Sequence, residues 1–207
     1  MHMINYDQIK RMLDVMVSGV AIVLLSPIML IIATWVKLDG GPCFYGHERV
    51  GLKGRAFTCW KFRSMKLNSD QVLQDYLATH PEAAAQWHLS RKLTHDPRVT
   101  HVGKWIRKLS LDELPQLWNV IRGDMAIVGP RPVTRDELIN YYHFYADCYA
   151  SVRPGITGLW QVSGRSNTSY DRRVQLDMTY VHNVNWRMDT DILMRTPWAV
   201  LMSRGAC

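Results

Sequence analysis

VMVSGVAIVLLSPIMLIIATWV, residues 15–36, runs for 22 residues without a charge. A straight helix of that length measures about 33 Å, enough to cross a bilayer. It is too long and too uniformly apolar for an ordinary amphipathic helix. A secretory signal fits poorly, because Lys37 and Asp39 follow it instead of a small-residue cleavage site. Ser26-Pro27 stands near its centre. A proline there removes one backbone hydrogen bond and crowds the preceding turn, so each half would reach only about half the bilayer depth. Lys10 and Arg11 precede the segment, and Lys37, Arg49, Lys53 and Arg55 follow it. Basic residues on both flanks favour both ends on the cytoplasmic side. The expectation is a re-entrant membrane helix–break–helix over residues 1–39, interrupted at Ser26 and Pro27. A compact cytoplasmic domain over 40–207 would follow, α+β and mainly helical, with short strands and amphipathic interfacial helices. A kinked single span is the competing arrangement.

The remaining length is enough for one domain with a core. Lys and Arg outnumber Asp and Glu, 25 to 18, giving a net charge of +7 and a pI near 9.4. That surplus suits an anionic partner: nucleic acid, an anionic membrane face or a phosphorylated substrate. Cys43, Cys59, Cys148 and Cys207 form no Cys-x-x-Cys pair and no Cys/His cluster, which argues against structural zinc and fits a reducing compartment.

Beyond the apolar stretch, glycines at 40, 41, 46, 51 and 54 punctuate aromatic and β-branched runs and predict a hairpin. Six cations lie between Arg49 and Lys66. Lys61 and Arg63 alternate with Phe62 and would share one strand face, a pattern suited to a phosphate clamp. Asn68 or Ser69 begins a helix towards Thr79, and Pro81 begins another. From residue 91 to 110, six cations face the single acid Asp96. His95 and His101 lack a helical metal-ligand spacing and read as surface residues.

SLDELPQLWN, residues 110–119, is the predicted centre of the chemistry. Leu111, Leu114, Leu117, Trp118 and Ile121 recur at helical spacing, so one face is buried. Ser110 with Glu113 matches a capping box, which would put Asp112 and Glu113 in a helix's first turn, where a phosphate or a low-pKa carboxylate is favoured. Adjacent acids diverge by about 100° on a helix and take different tasks, one attacking phosphorus and the other holding a metal. Arg107, five residues earlier, is within reach of an anion there. Taken alone, two acids capping a helix are more often solvated.

Gly123 is a natural helix stop, MAIV a short strand, and Pro130-Arg131-Pro132 fixes an arginine between two rigid residues. Thr134 and Glu137 form a second capping box. VRPGITGLWQVSGR, residues 152–165, is glycine-rich and ends on Arg165, suited to close approach and phosphate contact. Ser169 caps a helix carrying Asp171 and Asp177. Residues 188–204 form an amphipathic tail, and Trp198 within it and Trp186 just ahead of it suit a membrane interface.

Together, the Ser26-Pro27 break, KFRSM (61–65), DPR (96–98), SLDELPQLWNV (110–120), GDMAIVGPRP (123–132) and RPGITGLWQVSGR (153–165) resemble the bacterial sugar transferases, the monotopic phosphoglycosyl transferases. DGGPCFYGHERVG and GLWQVSGR are most similar to the catalytic domain of the undecaprenyl-phosphate galactose phosphotransferases. Those enzymes often carry further membrane helices ahead of the catalytic part, so this chain is expected to be a minimal form. The resemblance implies that a UDP-sugar binds with Mg²⁺, Asp112 attacks the β-phosphorus and UMP leaves. Undecaprenyl phosphate then takes the phosphosugar from the aspartate. It implies a metal site at Glu113 and Asp112. Substrate contacts would come from Lys61, Arg63, Arg107, Arg131, Arg165, Asp171 and Asp177. It also implies a place at the inner leaflet of the bacterial cytoplasmic membrane, the first membrane step of surface polysaccharide assembly, and no nucleic-acid partner. A homodimer is one possible assembly. On resemblance the sugar is galactose, with N-acetylgalactosamine second and glucose third. Two other classes stay open: a membrane-anchored module binding anionic lipid or nucleic acid, and a glycosyltransferase releasing UDP. The released nucleotide separates them.

Overall fold

The computed structural model describes residues 2–90, 93, 95–164 and 169–202, with side chains described from residue 6 onward and not at 88–90. It is mainly helical with four short strands. The apolar stretch lies within one continuous helix, α1 (His2–Leu38), that contains Pro27. The expected break at Ser26-Pro27 is therefore corrected. Pro27 has no N–H to give the Val23 carbonyl four residues back, and Ser26 Oγ donates to that carbonyl instead, at 2.8 Å. The serine supplies the donor that the proline lacks, and the helix runs on.

One stripe of α1 is covered along its length. Asp14, Ser18, Ile32 and Val36 are buried, with Ile22, Leu25, Met29 and Ala33 half-buried between them. Near its start, Arg11 donates to the Val120 and Ile121 carbonyls at 2.5 and 2.9 Å. Tyr6 and Lys10 both donate to Asp189 Oδ2, at 2.7 and 2.6 Å. At its other end, Ile32 and Val36 pack with Phe62 and Ile106. Both ends of α1 thus rest on the same domain. The opposite face leaves Met16, Val20, Val23, Leu24, Leu30 and Ile31 exposed. Each such side chain forgoes roughly 1.5–3 kcal/mol if left in water, so this face suits lipid. Among the described residues α1 is the one helix long and apolar enough to cross a membrane.

Strands β1 (Phe44–Val50) and β2 (Ala56–Phe62) pair antiparallel from Phe44↔Phe62 to Val50↔Ala56. Alternation puts His47, Arg49, Cys59 and Lys61 on one face, with Phe44, Trp60 and Phe62 on the other. Helices α2 (Ser69–Thr79), α3 (Pro81–Ser90) and α4 (His101–Lys108) follow. Thr100 caps α4 by accepting from Gly103 N.

A single helical turn, Leu111–Glu113, leads into α5 (Gln116–Arg122). Asn119, fully buried, joins α5 to the hairpin: its Oδ1 accepts from Trp60 N at 3.0 Å and its Nδ2 donates to Thr58 O at 2.7 Å. The carboxamide takes the place of a neighbouring strand along the β2 edge. Gly123, at φ 94°, stops α5 as expected.

Strands β3 (Ala126–Val128) and β4 (Gly155–Thr157) pair in parallel and lay the two glycine- and proline-rich blocks side by side. A Cβ on Gly129 would stand 2.5 Å from the Arg153 carbonyl, which is why the approach needs glycine. The Thr134/Glu137 capping box forms at α6 (Arg135–Glu137). Helices α7 (Ala146–Ala150), α8 (Leu159–Val162), α9 (Tyr170–Asn183) and α10 (Trp186–Leu201) complete the fold. Ser169 caps α9. Along α10, Asp189 and Ile192 are buried while Met194, Trp198 and Leu201 are exposed, the amphipathic pattern expected of that tail. Cys43, Cys59 and Cys148 are free thiols.

Candidate active site

Asp112 and Glu113 lie on the turn ahead of α5, not in its first turn. The capping box expected at Ser110 does not form: Ser110 adopts φ 55° and its side chain caps nothing. Pro115, which needs no N–H donor partner, stands as the N-cap of α5 instead. The consequence is electrostatic. Asp112 is only 7% exposed. Burial raises its pKa to about 6; Lys61 and Arg107 oppose the rise and Glu113 adds to it. A carboxylate kept at low pKa by a helix terminus is thus replaced by one that titrates near neutrality.

Glu113 differs from its neighbour. Lys61 Nζ donates to Glu113 Oε1 at 2.6 Å, with both side chains about a quarter exposed. A narrow cleft opens from this pair and is walled by Arg49, Gln116, Arg131 and Gln161. Arg131 stands over the Trp160 ring at 5.2 Å and Arg173 over the same ring at 4.8 Å. Tyr149 holds the loop behind Arg131, donating to the Arg131 carbonyl at 2.9 Å. Arg49 is oriented by Glu137 at 2.9 Å. Arg107 approaches from the other side and donates from Nε to Ser64 Oγ at 2.8 Å.

Of the residues expected to bind substrate, Lys61, Arg107 and Arg131 gather around the two acids. Arg63 does not. It is 6% exposed and its guanidinium closes the end of α1, donating to Val36 O and Pro42 O, each at 2.8 Å, and to Gly40 O. β2 ends at Phe62, so the strand alternation that would have put Arg63 beside Lys61 does not extend to it. Asp177 lies behind the cleft and not in it: it is 1% exposed, accepts from Tyr142 Oη at 2.7 Å, and is pushed up to about 7 by burial against the opposing pull of that hydrogen bond, the Arg131 backbone N–H and the Arg131 and Arg173 charges. Asp171 is exposed in the first turn of α9 and lines no part of the cleft. Arg165 falls outside the described residues. Arg49, Gln116 and Gln161 were not expected at the cleft. The alternation that put Lys61 on a strand face also carries Arg49, and Gln116 follows Glu113 by three residues, so those two were readable.

The dyad offers oxygen donors only, the kind Mg²⁺ takes, and that ion needs few protein ligands when phosphates supply the rest. Among the described residues no three His, Cys, Asp or Glu side chains come together. The pair therefore fits an ion shared with a phosphorylated ligand better than one caged by protein.

On the other side of α5 lies a second space. A 430 Å³ cavity is lined by Ile22 and Met29 of α1, Phe44 and Trp60 of the hairpin, and Leu114, Pro115 and Trp118 next to the dyad. Its walls are apolar except for Arg122. Trp60 and Lys61 point to opposite faces of β2, so the hairpin separates the apolar cavity from the charged cleft.

A cation-walled cleft at Glu113, the buried carboxyl Asp112 next to it in the chain and an apolar space against a membrane-type helix are features suited to an enzyme site for an anionic substrate. The family model for bacterial sugar transferases matches residues 5–203, and the chain belongs to that family. It is 51% identical over 198 residues to the exopolysaccharide production protein ExoY of Sinorhizobium fredii, covering 95% of this chain and 87% of that one. It is 50% identical over 198 residues to an undecaprenyl-phosphate galactose phosphotransferase of Salmonella typhimurium, 96% of this chain but 41% of that longer protein. An Aeromonas hydrophila UDP-N-acetylgalactosamine-undecaprenyl-phosphate N-acetylgalactosaminephosphotransferase is 39% identical over 208 residues, 97% of this chain and 45% of the relative.

Proposed function

We propose that this chain transfers a hexose 1-phosphate from a UDP-sugar to undecaprenyl phosphate and releases UMP. The reading is carried by one observation: the residues directly after the buried carboxyl Asp112 line both spaces, Glu113 the cationic cleft and Leu114 and Pro115 the apolar cavity. A nucleotide sugar suits the first and a prenyl chain the second. Similarity to the Salmonella galactose phosphotransferase favours galactose as the sugar.

In the first step an ionised Asp112 oxygen bonds to the β-phosphorus and the phosphorus–oxygen bond to UMP breaks. Lys61, Arg49 and Arg131 bind the diphosphate and meet the charge that UMP carries away. In the second step a phosphate oxygen of undecaprenyl phosphate bonds to the phosphosugar's phosphorus. The bond to Asp112 breaks and the carboxylate is restored. Mg²⁺, held by Glu113 with Asp112, would neutralise the diphosphate when bound.

With Tyr6 and Lys10 at one end of α1 and Ile32 and Val36 at the other all held by one domain, α1 lies on the membrane from one side, the cytoplasmic face of the inner membrane. A cysteine at Asn5, with native cysteines removed, is then inaccessible to an impermeant periplasmic reagent; labelling there would mean a span.

The decisive experiment offers a panel of UDP-sugars with undecaprenyl phosphate and identifies the nucleotide released. UMP is expected. UDP would indicate ordinary glycosyl transfer, and neither nucleotide a binding module. Without the lipid, acid quench should trap a phosphosugar on the protein, and Asp112→Asn should abolish it; an adduct on that variant would assign another nucleophile.

A further inference from the structure

Gln161 lies in the short helix α8, in the wall of the cleft that holds Lys61, Glu113 and Arg131. Its Oε1 is shielded from solvent and has no hydrogen-bond partner, one of four such side-chain atoms among the described residues. Unpaired buried polar atoms are uncommon in folded proteins, and one at a ligand cleft is a contact still to be made. Gln161 stands next to the close approach of Gly158 to the Gly129 carbonyl, where a Cβ on Gly158 would come within 2.1 Å of that oxygen and 2.9 Å of Oε1.

The chemistry of the cleft narrows the ligand group. Arg49, Lys61 and Arg131 are donors suited to phosphate oxygens. A diphosphate diester at neutral pH has no proton to give a carbonyl oxygen, so Gln161 Oε1 does not pair with it. A hydroxyl is both donor and acceptor and satisfies either end of a carboxamide. In a UDP-sugar bound with its β-phosphorus at Asp112, the hexose is the hydroxyl-bearing group attached to the reacting phosphorus. Seating it there requires the narrow cleft between the hairpin face and α8 to open.

We propose that Gln161 hydrogen-bonds a hydroxyl of the transferred hexose and so helps determine which sugar is accepted. The proposal rests on the sugar-phosphate transfer described above. UMP release is measured with UDP-galactose and its 2-, 3-, 4- and 6-deoxy analogues, on wild type and on Gln161→Leu. In wild type, one deoxy analogue should lose about 5- to 150-fold in kcat/KM, the ~1–3 kcal/mol of an unpaired buried group at ~1.4 kcal/mol per tenfold. Gln161→Leu should lose a similar factor with the parent sugar but show little further loss with that same analogue, a non-additive pair. Additive losses at all four positions would overturn the proposal, as would a wild type that turns over every deoxy analogue within threefold of the parent. The second measurement needs no variant to fold. Release of no UMP from any UDP-hexose by wild type would instead defeat the transfer reading itself, a distinct outcome that removes the proposal with it.

Discussion

Raising the pH from 5 to 7 should speed formation of the phosphosugar adduct about tenfold. Asp112 attacks only when ionised, and burial sets its pKa near 6, above the ordinary 3.8. The ionised fraction then climbs from about 0.09 at pH 5 to about 0.9 at pH 7. A carboxyl of ordinary pKa would already be about 0.9 ionised at pH 5 and give a flat profile. The neighbours supply an internal control with opposite signs. Glu113 raises the Asp112 pKa and Lys61 lowers it. Glu113→Gln should therefore move the rising limb to lower pH and Lys61→Met to higher pH, whatever either change does to the absolute rate. The assay is rapid-quench trapping of radiolabelled hexose phosphate on nanodisc-embedded protein, without lipid acceptor. A profile flat from pH 5 to 7, or two variants shifting in the same direction, would refute the reasoning.

Arg63→Met should cost about 2–4 kcal/mol of stability in denaturant titration, because three carbonyls lose a charged donor, with the donor KM unchanged. Arg131→Lys should do the reverse, raising the donor KM about tenfold at little cost in stability, since an ammonium does not reproduce a bidentate phosphate contact. Ser26→Ala should destabilise α1 by about 1–3 kcal/mol through the orphaned Val23 carbonyl, while Ser26→Ala with Pro27→Ala should recover most of that loss as the restored N–H takes over. For Asp177 the folded pKa of about 7 lies above the unfolded value, so the folded state holds a proton that the unfolded chain has lost between about pH 4 and 7. Stability should fall as pH rises through that window, by at most ~1.4 kcal/mol per pH unit, and thermal melts of Asp177→Asn should show a shallower slope.

Much of the fold was legible in local pattern. The hairpin, the Gly123 stop, the Thr134/Glu137 capping box, the Ser169 cap and the short MAIV strand each follow from residues within a few positions of one another. The dyad and the cations Lys61, Arg107 and Arg131 were legible for the same reason: charge type and spacing are local properties. Two local rules gave way to their surroundings. At Ser26-Pro27 a hydroxyl one residue before the proline met the carbonyl that the proline left free, so the helix continued. At Ser110 a left-handed backbone and Pro115 displaced the helix start beyond the two acids.

The sequence by itself determined the apolar helix, the acidic pair, the basic loops and the family. Tertiary structure decided which charges share a site. Arg63 and Lys61 are two residues apart, yet one closes α1 and the other meets Glu113, because the strand ends between them. The chain suggested a substrate contact at Asp177 and nothing at Gln161; packing buried the first beneath Tyr142 and left the second in the wall of the cleft with an unpaired oxygen. Spacing along a chain specifies which face of an element a side chain takes, but desolvation and hydrogen-bond supply depend on what the fold brings opposite that face, and they set whether a charge becomes a cap, a core residue or part of a reacting site.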